Sequence, residues 1–149
     1  QYRAMEAGIA ESCLWYDPVV VPVTSQQLQL QGCTTFMGML PDIAPTAKNT
    51  CGLSNVSNCA PEEKRPILNQ TYLCILRNAG LKAAILDGLD QEILAFARDK
   101  RADLEGVVAR VVRGETVDPA GLTKQQADFA KTAKVLLGHA IYSDSWLEI

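Results

Sequence analysis

Apolar runs and amphipathic stretches alternate along this chain, and Gly, Pro or polar residues separate them. Near-continuous apolar runs predict three buried strands, at 14–20, 50–54 and 81–86. Apolar residues three and four positions apart predict a helix ending before Gly8 and helices over 25–40, 66–79, 91–101, about 103–113 and 124–137. Strands that alternate with helices indicate an α/β fold, with the three strands parallel, in chain order, and joined by right-handed helical crossovers on one side.

Residues that start and stop helices support these boundaries. Pro41 is expected to end the first long helix, and Pro66 stands where a first helical residue belongs. Asp90 is a helix N-cap residue, and Thr123 followed by Gln126 is a capping box.

Polar residues lie at the ends of the predicted strands. Asp17 interrupts the first apolar run, where a carboxylate is costly unless it is paired or bound to something. The second strand runs into Ser, Asn, Ser and Asn, a row of uncharged donors and acceptors, after a glycine that lets the backbone approach a ligand. The third strand ends at Asp87. Because the carboxyl ends of parallel strands lie at one edge of a sheet, these residues are expected to form one wall of a site.

The run 51–58, CGLSNVSN, resembles the Gly-Leu-Ser-Asn-Val-Ser signature of the methyltetrahydrofolate:corrinoid/iron-sulfur protein methyltransferases, which are pterin-binding (β/α)8 TIM barrels. Residues 15–22, WYDPVVVP, look like the family's preceding strand. Residues 65–72, RPILNQTY, and 83–87, AAILD, look like its next helix and last strand. The match spans most of the chain at the family's own spacing.

The resemblance implies that residues 1–149 are the C-terminal portion of such a barrel, with about three parallel strands and a helical insertion at about 103–132. A closed barrel of this type needs about 250 residues. The start at Gln1 rather than Met agrees with a fragment. The fragment alone is expected to be inactive, and to be unstable or self-associating because the strand faces that would meet the missing half are exposed. The insertion is either a partner-docking surface or an elaboration of the fold.

The implied reaction moves the N5 methyl group of methyltetrahydrofolate to the cobalt(I) corrinoid (cobalamin) of a corrinoid/iron-sulfur protein, in the one-carbon pathway to acetyl-CoA. Asn55 aligns with the family's catalytic asparagine, which hydrogen-bonds N5. Asp17 aligns with an aspartate that binds the pterin ring. The resemblance also implies a homodimer when full length.

Other site residues follow from the same alignment. The implied substrate-binding residues are Gly52, Ser54, Ser57 and Asn58, and several relatives carry glutamine at the last of these. Asp87 either lines the rim that faces the corrinoid or caps its own loop.

Composition excludes several other classes of protein. The net charge of -3, the pI near 5.1 and the lack of a Lys/Arg cluster argue against a nucleic-acid partner. No apolar run reaches the roughly 18 residues of a membrane span, and no secretory pattern opens the chain, so a cytoplasmic location is expected. Five cysteines without a C-x-x-C pair and a single His predict buried reduced thiols and no bound metal.

Three alternative functions remain. Dihydropteroate synthase shares the barrel and the pterin pocket, but its last strand ends in basic residues and a His, whereas this strand ends in Asp87-Gly88. Related folate/corrinoid methyltransferases of demethylation pathways share the asparagine signature. The chain could also be a non-catalytic half-barrel or a docking module for a corrinoid protein.

Overall fold

A computed structural model describes residues 1–148, which adopt a mixed α/β fold that is mostly helical. The α-helices are α1 Tyr2–Glu6, α2 Val23–Ile43, α3 Arg65–Asn78, α4 Gln91–Ala97, α5 Ala102–Val112 and α6 Lys124–Leu136. The two strands are β1 Trp15–Tyr16 and β2 Lys48–Asn49. Short 3-10 turns lie at Glu11–Cys13, Leu53–Ser57, Glu62–Lys64 and Pro119–Gly121. No helix within residues 1–148 is both long enough and apolar enough to cross a membrane.

The sheet is parallel. Trp15 of β1 is level with Lys48 of β2, and Tyr16 is level with Asn49. A third extended segment, 83–85, continues the ladder on the other side of 49–53. The predicted parallel pairing in chain order is therefore confirmed for these three segments.

Three hydrogen bonds join the third segment to the second. Ala83 N–H donates to the Asn49 carbonyl at 3.2 Å, and Ile85 N–H donates to the Cys51 carbonyl at 2.8 Å. Leu53 N–H returns a bond to the Ile85 carbonyl at 3.0 Å, so that Gly52 and Ile85 are bridged in parallel.

The strands are shorter than predicted. The first was expected over 14–20, but only Trp15–Tyr16 pair as a strand. The next residues are Asp17 and Pro18, and a proline has no N–H with which to continue a ladder. The second begins at Lys48 rather than residue 50, and from Leu53 its backbone turns into a 3-10 helix.

The prediction that Pro41 ends the first long helix is wrong. Pro41 lies inside the last turn of α2, which continues to Ile43. One missing N–H near a helix end removes a single hydrogen bond, and Ala44 N–H still closes the turn on the Leu40 carbonyl at 2.8 Å. Near its start α2 is kinked at Gln26, where φ is -136° and ψ is 42°.

Helix α3 is the centre of the hydrophobic core. Every residue from 70 to 76 is buried, because α3 packs against the Leu53–Ser57 turn, α4, α5 and α6. Helix α5 and the larger part of α6 lie within the block at about 103–132 that the sequence suggested as an insertion, and the two helices also pack on each other. Their inner faces belong to the main core; the fully buried members include Leu104, Val108, Ala133, Phe129 and Leu136. The block is thus a structural layer of this fold rather than an appended surface.

All five cysteines are free. The expectation of buried thiols is confirmed for Cys33, Cys51 and Cys74 and is wrong for Cys13 and Cys59, which are exposed. Burial raises the pKa of Cys51 and of Cys74 to about 12, so these two thiols remain protonated at neutral pH.

Candidate functional site

The predicted site residues follow the carboxyl ends of the three parallel segments. Asp17 follows β1, Ser54 follows the 49–53 segment, and Asp87 follows 83–85. The paired residues nearest to these side chains are Tyr16 with Asn49, and Gly52 with Ile85. Because the segments are parallel, all three residues lie toward the carboxyl ends of the strands, and the last pair of β1 lies three residues earlier along the second segment than the pair of Ile85.

Asp17 lies in an aromatic hollow. A cavity of about 250 Å³ is lined by Tyr16, Asp17, Pro18 and Phe36. The Tyr16 and Phe36 rings are tilted against each other with centroids 6.1 Å apart. An exposed carboxylate beside apolar ring surface suits a flat heterocycle that has N–H groups on one edge.

The signature run forms a tight turn at the end of the second segment. Residues Leu53–Ser57 make a 3-10 helix, and Gly52 precedes it with φ -82° and ψ 93°. Asn55 is half-buried in this turn. Its Oδ1 accepts a hydrogen bond from Asn58 Nδ2 at 3.4 Å, and its Nδ2 lies 3.8 Å from the point where a Cβ on Gly52 would stand. The glycine thus leaves open the space beside an amide donor.

The position of Ser57 differs from the one expected of a substrate-binding residue, which was its predicted role. The structure buries it completely. Its hydroxyl donates to the Ser54 carbonyl at 3.1 Å and accepts from Arg65 Nε at 3.4 Å. Ser57 therefore fixes the turn from the inside, and Ser54, which is exposed, is the serine that can meet a ligand.

A second cavity of about 240 Å³ adjoins the turn. The residues of the sheet edge that line it include Ser54 and Asp87, and Arg65 and Asn69 of α3 form part of the opposite wall. Asn69 Oδ1 is buried and has no hydrogen-bond partner within residues 1–148. Arg65 and Asn69 were not among the predicted site residues; their spacing of four on one helix face was the available signal.

Asp87 both caps its loop and lines this cavity. Its Oδ1 accepts from Leu89 N–H at 2.8 Å, which is the capping role. Asp87 also lines the cavity, and its place at a rim that faces the corrinoid stays a prediction. Asp17 and Asp87 line different cavities, and the structure does not bring them into contact.

Comparison with known protein families finds no family profile that matches the chain. Within residues 1–148 no group of three or more His, Cys, Asp and Glu side chains is placed to hold a metal ion.

Proposed function

We propose that this chain is the C-terminal portion of a pterin-binding (β/α)8 barrel that transfers the N5 methyl group of methyltetrahydrofolate to the cobalt(I) corrinoid of a partner protein. The carrying observation is that the signature run follows a parallel segment and forms a tight turn, in which the half-buried Asn55 has its Nδ2 donor beside Gly52, while Asp17 follows the neighbouring parallel strand. Three parallel segments in chain order agree with consecutive barrel strands.

The chemistry gives Asn55 its role. Cobalt(I) is a strong nucleophile, but the N5 nitrogen is a poor leaving group unless it gains a hydrogen bond or a proton as the carbon–nitrogen bond breaks. A neutral N–H donor aimed at the charge that develops on nitrogen stabilises the transition state, as an oxyanion hole does. Asn55 Nδ2 has no acceptor among residues 1–148 and is therefore free to make this bond.

Asp17 binds the pterin ring of the substrate in this proposal. A pterin presents adjacent N–H groups on its 2-amino-4-oxo edge, and one carboxylate can accept two of them. The apolar rings of Tyr16 and Phe36 beside Asp17 would cover part of the heterocycle and exclude water from this pair.

A docking module without catalysis receives less support. Helices α5 and α6, which were the candidate interface, direct their apolar faces into the core around α3. Dihydropteroate synthase also fits less well, because the third segment ends in Asp87 where that enzyme must hold a pyrophosphate.

The test is ligand binding followed by turnover. Methyltetrahydrofolate is titrated into the protein and followed by ultraviolet difference absorbance, with a dihydropterin pyrophosphate as the competing ligand. Methyl transfer to free cob(I)alamin is then measured with an isotope-labelled methyl group. We expect saturable folate binding, and transfer in a chain long enough to close the barrel. Preference for the pyrophosphate ligand, or the absence of folate binding in such a chain, would refute the proposal.

A further inference from the structure

Asn58 contacts Asn55 through both its backbone and its side chain. Its backbone N–H donates to the Asn55 carbonyl oxygen at 3.1 Å, and its Nδ2 donates to Asn55 Oδ1 at 3.4 Å. A side-chain amide has one donor end and one acceptor end. Because Oδ1 of Asn55 is taken by Asn58, the Nδ2 end is turned toward Gly52 and the open space beside it.

Asn58 is itself anchored to another element of the site. Its carbonyl oxygen accepts a hydrogen bond from Thr24 Oγ1 at 3.0 Å. Thr24 lies in the first turn of α2, and the chain reaches that turn directly from Asp17. A short chain of hydrogen bonds thus joins the loop after the first strand to the amide at the end of the second.

We propose that Asn58 is a positioning residue that holds the Asn55 amide with its N–H donor, rather than its oxygen, toward the substrate. This inference rests on the function proposed above for Asn55. It changes the role that the resemblance suggested for Asn58, from direct substrate contact to control of a neighbouring side chain. An amide rotated by half a turn would present an oxygen to the lone pair of N5, and that contact is repulsive. Fixing the orientation in advance removes this unproductive state.

Three substitutions of the exposed Asn58 distinguish the effect of its hydrogen-bond donor from the effect of its side-chain shape. Asn58→Ala removes the donor and frees the Asn55 amide to rotate. Asn58→Asp keeps the shape but offers only acceptors, so Asn55 would donate Nδ2 to the new carboxylate and turn its oxygen outward. Asn58→Gln retains a donor on a longer arm.

Kinetics with free cob(I)alamin as acceptor give the first readout. We expect kcat to fall about tenfold in Asn58→Ala and about a hundredfold in Asn58→Asp, and to stay within about threefold in Asn58→Gln, because a misdirected donor loses most of its stabilisation of the transition state. KM for methyltetrahydrofolate should change little in all three. Asn78→Asp is the matched control: this exposed asparagine donates to the Cys74 carbonyl at the far end of α3, and its replacement should leave kcat unchanged.

The second readout does not depend on activity. In protein labelled with nitrogen-15 at asparagine, the side-chain NH2 signals of Asn55 are assigned by their loss in Asn55→Ala. We expect these signals to shift in both Asn58→Ala and Asn58→Asp and to report a more mobile group in Asn58→Ala. The Asn78→Asp control should leave them in place.

The outcomes separate this inference from the proposed function. Unchanged Asn55 amide signals in Asn58→Ala and Asn58→Asp would overturn the positioning role whatever the activity. Shifted signals with wild-type kcat in both variants would overturn it as well. A barrel-length wild type that transfers no methyl group would instead refute the proposed function, and the amide signals would then decide alone whether Asn58 orients Asn55.

Discussion

At the scale of single residues, a substitution at Gly52 is expected to reduce ligand access to the site without changing the stability of the fold. Its φ of -82° and ψ of 93° are open to any residue, and an added methyl group would meet only Asn55 Nδ2, at the ordinary contact distance of 3.8 Å. We therefore expect Gly52→Ala to melt within a few degrees of wild type, while its methyl group occupies space that a bound pterin would enter and lowers folate affinity about tenfold. Calorimetric titration checks this, and Gly88→Ala, which has open space around the added carbon, is the control. Equal affinity in the two variants would show that no ligand approaches Gly52.

Asn55 is predicted to act on the chemical step. Asn55→Ala removes one preorganised donor, so in a chain with a complete barrel kcat should fall by about 10²–10³ with a smaller change in substrate binding. Single-turnover methyl transfer to cob(I)alamin measures the step directly. Wild-type turnover in this variant would reduce Asn55 to a residue that merely closes the turn.

Asp17 is predicted to act on binding. A carboxylate that grips the far edge of the pterin contacts substrate and transition state alike, so Asp17→Asn should raise KM and leave kcat nearly unchanged. Asparagine keeps the shape but loses the charge and one acceptor, and the expected cost is about tenfold to a hundredfold in affinity. If kcat fell while folate affinity held, Asp17 would be a proton-transfer residue and the division of roles with Asn55 would be wrong.

At the scale of elements, Asn49 ties the second parallel segment to the third. The side chain is buried; its Nδ2 donates to the Gly80 carbonyl at 3.3 Å and its Oδ1 accepts from Lys82 N–H at 2.7 Å. Asn49→Ala leaves that backbone donor and acceptor without their partner, and we expect it to lower the free energy of unfolding by about 1–3 kcal/mol. Urea denaturation measures the change, with the exposed Asn78→Ala as control. A loss no larger than that of the control would mean that water replaces both bonds.

The starts of α4 and α6 were predictable because they are encoded locally, whereas α2 runs past Pro41 to Ile43 and α4 ends at Ala97, before the predicted residue 101. Asp90 caps α4 by accepting from Glu92 and Ile93 N–H, and Thr123 with Gln126 forms the predicted capping box. The strands were predicted in place and order but not in length, since pairing depends on neighbours that are distant in the sequence. The 3-10 turn that buries Ser57 follows from packing against α3, which no local pattern records.

The candidate site was predictable in its residue types and not in its contacts. Asp17 and Asp87 were singled out because a carboxylate at the end of an apolar run is costly unless it is paired or bound, and Asn55 because it aligns with the asparagine of the family signature. The side-chain bond from Asn58 to Asn55 and the bond from Thr24 Oγ1 to the Asn58 carbonyl form only in the folded chain. The identity of Asn58 alone could not distinguish substrate contact from control of its neighbour.

At the scale of the whole molecule, one face of the sheet is uncovered. Asn49, Cys51 and Leu53 point into the core, whereas Trp15 is 52% exposed and Ile85 is 68% exposed. Val19 and Leu89, in the loops beyond the strand ends, are 73% and 88% exposed. Among residues 1–148, β1 and the segment 83–85 each pair on one side only, so both edges of the sheet carry free hydrogen-bonding groups. Apolar faces and open edges of this kind favour association.

We therefore predict that the 149-residue chain self-associates in a concentration-dependent way, which light scattering coupled to size-exclusion chromatography would detect. Ile85→Thr lowers the apolar area of that face, and Val19→Thr lowers that of the loop beyond β1. The double variant should shift the equilibrium toward monomer. Leu28→Thr is the matched control, because Leu28 is 78% exposed but belongs to α2 rather than to the sheet, and its loss should leave association unchanged. A monomer that melts sharply at every concentration would show that the bare sheet face is stable in water, and it would remove the main physical argument that further strands complete this sheet.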